Sequence, residues 1–481
     1  MNINQRRNIF RRHTESNVYR MFFWVILILG GIWLIRSVDQ GEIKPLFLPT
    51  PTPTRFAQSY AIEGDALFTA GKLEDSIGAD GKVSPGAITA YREAVKVNPN
   101  DVNAWARLSR IQTYSTAQLV KRDAILVRLE EAIASAEKAV EVNPDDSYAH
   151  AVYAFALNWR ASFVADDRER QAVLTKSEQE AVRALQLDNT NTLALAFYAE
   201  VLVDQQKWTQ AQQNIEQALE RDPSLMDVHR VHAYVLESLG EYALAIEAYD
   251  RAIAIAPNLT FLYLRAGAGY RRLAFESPNE QVQRQLYEKS LEYFAQTARI
   301  NQQLGVQDPA PYLSIARTYS QMGEFFIAIR NVQKTIEFQH DNPVFYGELG
   351  VLYHKNRNYE TGILALKCVV RGCTAEESCD GRGGCGPNDT PADVVGLPLT
   401  ISTVYYYDVY ASELAALSTP KKSYCDEALA VASEIEASEF DNDPNIAADI
   451  VVVRIFCTFA PETPTVTLEP ALIDTTPTAK P

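Results

Sequence analysis

Six cysteines are the residues of this 481-residue chain whose type and spacing most directly indicate chemistry. They lie in its last quarter, at Cys368, Cys373, Cys379, Cys385, Cys425 and Cys457. An even number of cysteines favours disulfides if the domain lies outside the cytosol. Zinc is the alternative, but the first four cysteines have the spacing C-x4-C-x5-C-x5-C, without a C-x2-C pair or a nearby histidine. The preferred framework has two disulfides within residues 368–385 and a third between Cys425 and Cys457.

The remaining reactive residue types form no recognisable catalytic or metal-binding motif. The acidic loop Glu74–Lys82 lacks the D-x-D-x-D-G spacing of a calcium loop. The sequence contains no G-x-S-x-G, no Gly-rich phosphate loop and no H-E-x-x-H. We therefore predict no catalytic residue, no metal site and no cofactor, and we do not expect an enzyme.

The elements that must position any binding residues are indicated by two consecutive blocks of 34 residues, Thr192–Leu225 and Met226–Leu259. Small residues and a proline recur at places 8, 20, 27 and 32 of both blocks: Ala199, Ala211, Ala218 and Pro223, then Ala233, Ala245, Ala252 and Pro257. A fixed period of 34 with this pattern predicts a pair of helices in each block. The alanines allow close approach of helices, and the proline ends the second helix.

This pattern resembles the tetratricopeptide repeat family, most clearly in the fragment GEYALAIEAYDRAIAIAPN (Gly240–Asn258). The resemblance implies an all-α fold, a right-handed superhelical α-solenoid of antiparallel helix pairs. Phasing outward from the two blocks gives about eight units in residues 57–367. The first three units and the sixth measure 45 residues, and their 11 extra residues fall between the two helices. We expect lengthened helices or a wider turn there.

The N-terminal segment predicts a membrane anchor ahead of this array. Residues 18–38 are almost wholly apolar, with Arg20 and Arg36 near the ends, and are predicted to form one transmembrane helix. A cleaved signal peptide is the alternative, but no A-x-A site follows. The arginines of residues 1–17 predict a cytoplasmic N-terminus and an extracytoplasmic array in a bacterial cell membrane. Residues 39–56, rich in Pro and Thr, are expected to form a stalk.

The C-terminal end departs from the repeat pattern. Residues 368–402 are interpreted as a cysteine-rich loop insertion, and residues 403–459 as a divergent terminal repeat with a capping helix. Residues 460–481 are rich in Pro and Thr and are expected to be disordered.

The family resemblance also implies which residues face the concave surface, namely places 2, 5, 9, 12 and 13 of each first helix. Cations and aromatic rings occupy several of these places: Arg230, Tyr234, Phe261, Arg271, Arg272, Arg317 and Lys355. Arginine suits carboxylate recognition, so the hypothesis is a groove for an acidic or C-terminal peptide segment. The alternative is that these are solvated charges or partners of Asp227 and Glu237. The family's lysine-and-asparagine carboxylate clamp is not reproduced at matching places.

The net charge of −16 argues against nucleic acid as a partner, because its recognition requires a basic surface. Two functions remain. The first is a membrane-tethered extracytoplasmic scaffold that binds other proteins or peptide segments. The second is a structural cell-surface or filament component that self-assembles through its solenoid, as a homo-oligomer.

Overall fold

The computed structural model describes residues 17–39, 55–77, 81–386, 389–419 and 421–458. Two compact units make up the chain, Met1–Phe56 and Ala57–Pro481. Residues 1–16 of the predicted cytoplasmic segment 1–17, residues 40–54 of the predicted stalk 39–56 and the whole predicted tail 460–481 lie outside the described residues.

Helix α1 (Val18–Asp39) is the described element of the first unit. Its stretch Val18–Ser37 has a mean hydropathy of 2.0 over 20 residues. At about 1.5 Å per residue this stretch is about 30 Å long, which matches the hydrocarbon core of a bilayer. In the part of the chain that the structure describes, α1 alone has the length and apolar composition to cross a membrane.

Helix pairs in chain order build the second unit, and together they form a solenoid. The first four pairs are α2 (Ala57–Thr69) with α3 (Ala87–Val97), α4 (Val102–Ser115) with α5 (Arg122–Val142), α6 (Ser147–Ala161) with α7 (Asp167–Leu187), and α8 (Thr192–Asp204) with α9 (Trp208–Arg221). The next four are α10 (Met226–Ser238) with α11 (Tyr242–Ile255), α12 (Thr260–Glu276) with α13 (Glu280–Leu304), α14 (Ala310–Gln321) with α15 (Phe325–Phe338), and α16 (Pro343–Lys355) with α17 (Tyr359–Val370).

Local sequence signals set the ends of these helices. Helices α3, α5 and α11 each stop two residues before a proline, which disfavours helix at the preceding residue. After α3 and α5 an aspartate caps the next helix: Asp101 accepts from the backbone N–H of Ala104 at 3.0 Å, and Asp146 from that of Ala149 at 2.8 Å. The helix after α11 has Leu259 at this position and no side-chain cap. The repeated alanines are buried where helices touch, as the 34-residue pattern predicted.

The 11 extra residues of the longer units mostly lengthen the second helix. Helices α5 and α7 have 21 residues and α13 has 25, whereas α9 and α11 have 14. In the first unit the extra residues instead form a small antiparallel hairpin of β1 (Ser76–Ile77) and β2 (Val83–Ser84). The lengthened helices therefore belong to the second, third and sixth units.

The solenoid coils tightly enough for its first units to contact units far along the chain. Gly71, after α2, has φ +74°, and a Cβ atom there would lie 2.5 Å from the carbonyl oxygen of Asn258, after α11. Lys121 Nζ lies 3.4 Å from a carboxylate oxygen of Asp341. By these contacts the solenoid differs from an open array, in which each repeat contacts only its neighbours.

A different arrangement closes the C-terminal end. The short helix α18 (Ala375–Gly381) packs on α17, and α19 (Val404–Leu417), α20 (Cys425–Glu436) and α21 (Pro444–Thr458) follow it. These last three helices share a core with α17. Asp408 of α19 is buried beside Asp449 of α21, and burial together with that neighbour raises the pKa of Asp408 to about 7.

Candidate functional site

The concave surface of the solenoid is crossed by a buried polar network. Arg110 of α4 donates from Nε to Asp227 Oδ1 of α10 at 2.9 Å, and its Nη2 bonds the second oxygen of the same carboxylate. Tyr114 Oη donates to Asp227 Oδ1 at 2.5 Å and accepts from Arg230 Nε at 2.9 Å. Burial would raise the pKa of Asp227, but Arg110, Tyr114 and Arg230 together outweigh burial and hold that pKa below its ordinary value. The network joins helices that are more than one hundred residues apart in sequence.

Arg230, one of the predicted groove residues, is the centre of this network. Its two terminal nitrogens donate to the two carboxylate oxygens of Glu200 at 2.8 and 2.5 Å, a bidentate pair. The side chains of Arg230 and Glu200 are only 7% and 6% exposed. Burial opposes the charge of Arg230, yet Glu200 and Tyr114 raise its pKa well above the ordinary value. Arg230 is therefore a paired, internal charge of the concave surface.

Aromatic rings surround the network. Tyr114 stacks on Phe261 with ring centres 5.4 Å apart and an interplanar angle of 11°. Trp159 meets Tyr114 edge-on at 5.8 Å, and its indole N–H donates to Glu200 at 3.0 Å. The Arg230 guanidinium lies 5.9 Å from the Trp159 ring centre. Rings and charges together form the inner wall of the concave surface.

A cavity of about 320 Å³ opens beside this wall, and we call it the central cavity. Three predicted groove residues line it: Arg230, Tyr234 and Phe261. The other lining residues are Ala117, Asn158, Trp159, Ser162, Phe163, Glu200, Asp204, Tyr249, Leu264 and Arg265. Most of the wall is apolar or aromatic, a composition typical of small-ligand sites.

A second cavity of about 230 Å³ collects three more predicted residues, Arg271, Arg317 and Lys355, and we call it the cationic pocket. Arg317 donates to Glu348 from Nη2 at 2.5 Å and from Nε at 3.1 Å. Lys355 Nζ lies 3.4 Å from Ser320 Oγ. The pocket thus has three cations and one carboxylate, Glu348, in its lining.

Arg271 is the distinctive residue of the cationic pocket. Its Nη1 donates to the backbone carbonyl of Ser314 at 3.1 Å, and its guanidinium lies 5.6 Å from the Phe294 ring centre. Burial, followed by the nearby charge of Arg317, lowers the pKa of Arg271. Among the described residues it forms no salt bridge. The charge of Glu348, whose carboxylate pairs with Arg317, raises the pKa of Arg271, but less than burial lowers it.

Arg272, the seventh predicted groove residue, lies in neither cavity. Its Nε bonds Glu276 Oε1 at 2.7 Å, one turn along the same helix, and its side chain is 52% exposed. The guanidinium lies over the ring of Tyr242. It differs from its neighbour Arg271 because one residue on a helix turns the side chain by about 100°.

The six cysteines form three disulfides: Cys368–Cys373, Cys379–Cys385 and Cys425–Cys457. This is the framework preferred from the sequence. The third bridge joins α20 to α21, and the first two fix the segment around α18. Since every sulfur is paired, none is a thiolate that could bind zinc.

Sequence reasoning missed two acidic residues of the central cavity, Glu200 and Asp204. They occupy places 9 and 13 of the unit that begins at Thr192, the same places that carry Tyr234 and Ser238 one unit later. The repeat pattern therefore contains the signal for both acidic residues. Arg265 stands at place 6 of its unit, outside the expected places, and no signal indicated it.

Comparisons with known proteins agree on the repeat. A tetratricopeptide repeat model matches residues 199–260. A human relative, interferon-induced protein with tetratricopeptide repeats 2, is 29% identical over 147 residues, which cover 30% of this chain and 29% of the relative. The matched part is thus less than a third of that protein's length.

Solved structures extend the likeness in three dimensions. Human IFIT1, solved as a dimer with m7Gppp-AAAA, superposes with a TM-score of 0.51 at 14% identity, over 89% of this chain and 94% of that one. A thermophilic repeat protein of Thermus thermophilus is 19% identical over 44% of this chain and 98% of its own, with a TM-score of 0.35. At these identities the likeness concerns the fold alone.

Proposed function

We propose that this chain, a tetratricopeptide repeat protein, is a membrane-tethered scaffold that holds partner proteins by peptide segments in its concave surface. Its fold is that of a non-catalytic interaction scaffold. The partner segment carries a carboxylate, either an acidic side chain or a chain terminus, and the cationic pocket receives it.

The observation that carries this proposal is the unpaired guanidinium of Arg271 in a pocket that it shares with Arg317 and Lys355. A partly buried charge without a salt bridge is poorly stabilised, and an incoming carboxylate would supply a direct partner. Arg317 and Lys355 add donors, since Glu348 neutralises only one of the two. The pocket is therefore electrostatically complementary to an anionic ligand, although this protein has a negative net charge overall.

The chain itself offers a matched pair of variants. We expect Arg271→Glu to weaken binding of peptides with a free terminal carboxylate by about tenfold or more, the usual scale of a charge-assisted hydrogen bond. Arg272→Glu makes the same charge change one residue away, outside the pocket, and should leave binding unchanged. Binding is measured by calorimetry on the full-length chain in lipid nanodiscs, with peptides that end in a carboxylate or in an amide. Equal effects of the two variants, or equal binding of the two peptides, would refute the proposal.

The tether is proposed to be α1, in a single-pass bacterial cell membrane protein with a cytoplasmic N-terminus and an extracytoplasmic solenoid. The apolar length of α1 supports a span. The three disulfides support an oxidising compartment for the solenoid. Protease added to intact cells should digest the solenoid and spare a short N-terminal tag. A solenoid that is protected until the cells are lysed would contradict this topology.

The compound m7Gppp-AAAA, which is present in the human IFIT1 structure, is not proposed as a ligand of this chain. The net charge is −16, and the central cavity has two acidic residues in its lining, which repel phosphate. Proteins and peptides remain the proposed partners. A fluorescent capped oligonucleotide that bound the chain at physiological salt would overturn this exclusion.

Self-assembly is the second candidate function, and one feature favours it. The outer face of the terminal helix α21 exposes Val451, Val452, Ile455 and Phe456, each by about half. A terminal repeat normally presents a polar outer face. Analytical ultracentrifugation of the chain and of Phe456→Glu would separate the two functions: concentration-dependent association that the substitution abolishes favours the structural component.

A further inference from the structure

The lining of the central cavity contains one buried acceptor without a donor, Asn158 Oδ1, and one carboxylate without a salt bridge, Asp204. Asn158 is 1% exposed, and its Oδ1 has no hydrogen-bond donor among the described residues. Its Nδ2 donates to Asp204 Oδ2 at 2.7 Å, which fixes the orientation of the amide. A buried acceptor without a donor costs free energy, so a ligand with donors would be stabilised there.

Asp204 is the neighbour of this amide and the only cavity carboxylate that lacks a cationic partner in the described structure. It accepts from Tyr234 Oη at 2.5 Å and from Asn158, both neutral donors. A carboxylate has about four acceptor sites, so capacity remains. Burial raises the pKa of Asp204 to about 6, and the nearby Glu200 acts in the same direction. The group is ionised at neutral pH, but it is poorly stabilised.

The other charges of the cavity cancel in pairs. Arg230 is bound by Glu200, and Arg265 lies 2.9 Å from Glu237. Arg110 and Asp227, behind the wall, form a third pair. Asp204 therefore leaves the cavity with an excess of one negative charge.

The walls suit an organic cation in their chemistry as well as their charge. Trp159, Phe163, Tyr234, Tyr249 and Phe261 supply aromatic surface. The protein already places its own guanidinium groups over two of these rings, Arg230 over Trp159 and Arg265 over Tyr234, at 5.9 and 5.5 Å from the ring centres. Rings attract cations through their negative faces. The cavity opens to solvent beside the exposed Ser162 and Arg265, so a ligand can enter.

We propose that the central cavity binds an alkylammonium group, whose N–H donors reach Asn158 Oδ1 and Asp204 while its hydrocarbon part packs on the aromatic walls. The group belongs either to a small free amine or to a lysine side chain of a bound segment. This site shares no residue with the cationic pocket, so it stands independently of the peptide proposal.

The test compares isosteric probes on the full-length chain in lipid nanodiscs. Benzylammonium and benzyl alcohol have the same shape, and the first should bind about 10- to 100-fold more tightly, the scale of hydrogen bonds to charged groups. The peptides Gly-Lys-Gly and Gly-(acetyl-Lys)-Gly form the second arm. Preference for the charged member only in the peptide arm assigns the site to a lysine side chain, and preference in the first arm assigns it to a free amine. No preference in either arm overturns the proposal.

Variants locate the effect. Asp204→Asn removes the charge and should abolish the preference for benzylammonium over benzyl alcohol, and far-ultraviolet circular dichroism of the variant reports whether the fold is intact. Asn158→Leu removes the unpaired acceptor and should reduce the preference as well. Asp222→Asn makes the same charge change on an exposed turn and is the matched control. A preference that survives Asp204→Asn would overturn the proposal, and the probe comparison on the unaltered chain decides it even if a variant fails to fold.

Discussion

The buried pair of Arg230 and Glu200 allows a quantitative test of how the concave wall is held together. Arg230→Met removes the cation and keeps most of the side chain's volume. Glu200, 4% exposed, would keep only the indole N–H of Trp159 as a donor. Removing one partner of a buried ion pair costs about 3–5 kcal/mol, since the other charge is left uncompensated. We expect a loss of that size in the free energy of unfolding.

The double variant Glu200→Gln with Arg230→Met separates the pair from its surroundings. It removes both charges, and the amide of the new residue can still accept from Trp159. Replacing a buried ion pair by neutral groups is often close to neutral in stability, so the double variant should recover at least about 2 kcal/mol relative to Arg230→Met alone. Arg272→Met is the control, an exposed helix pair that contributes at most about 0.5 kcal/mol.

Urea unfolding of the full-length chain in nanodiscs, followed by far-ultraviolet circular dichroism, measures all three variants. If Arg230→Met lowers the free energy of unfolding by less than about 1 kcal/mol, then water or a local rearrangement stabilises the charge of Glu200, contrary to its burial. A double variant as unstable as the single one would assign the loss to packing rather than to charge. Either result would refute the reasoning about this pair.

Three further predictions concern other parts of the solenoid. Asp408→Asn should stabilise the protein at pH 8 by about 1–3 kcal/mol, the cost of a poorly satisfied buried group. Because the pKa of Asp408 in the folded protein is raised to about 7, the stability of the unaltered chain should fall as pH rises from about 4 to 7. Tm measured across that pH range should show this fall for the unaltered chain and not for the variant. Replacing both Cys425 and Cys457 by Ser removes the disulfide that joins residues 32 positions apart, and should lower the free energy of unfolding by about 4 kcal/mol. Removing either of the two short disulfides should cost about 2 kcal/mol, because a shorter loop restricts the unfolded chain less. Urea unfolding measures these losses, and equal losses would contradict the dependence on loop length. Gly71→Ala should lower Tm for two reasons: the new Cβ meets the carbonyl of Asn258, and φ at this position is positive. The control is Gly240→Ala, at an exposed position with open space around it, which should show only the cost of its positive φ. Equal shifts in Tm would argue against the close contact at Gly71.

The fold was predictable because the information that specifies it is local. A repeat of 34 residues indicates which residues are small and where a helix ends. Ala233 is buried between helices, and α11 ends two residues before Pro257, as this pattern predicts. The coiling of the array was not predictable in the same way. It depends on helix lengths and crossing angles summed over several units, and it brings Arg110 to Asp227 across 117 residues of sequence. No periodic signal encodes such a contact.

The binding surface was predictable only in part, for the same reason. Periodicity gives the face of a helix but not what lies opposite. Arg230, expected in an open groove, meets Glu200 on the adjacent helix and Tyr114 on a distant one. Arg271 and Arg272 occupy adjacent places of the same pattern, yet one lies half-buried in the cationic pocket and the other bonds its own helix at Glu276. Only the three-dimensional surroundings distinguish them.

The bond from Tyr114 to Asp227 also has a consequence for how the protein is made. During synthesis α4 is complete more than one hundred residues before α10 exists, so Arg110 and Tyr114 must wait without their partners. Repeat arrays usually fold by growth from neighbour to neighbour, with local contacts and high speed. Here the inner wall requires contacts with large sequence separation, which slow folding and leave aromatic side chains exposed until α10 is available. If the chain crosses a membrane unfolded, the inner wall can assemble only after about half of it has emerged on the far side.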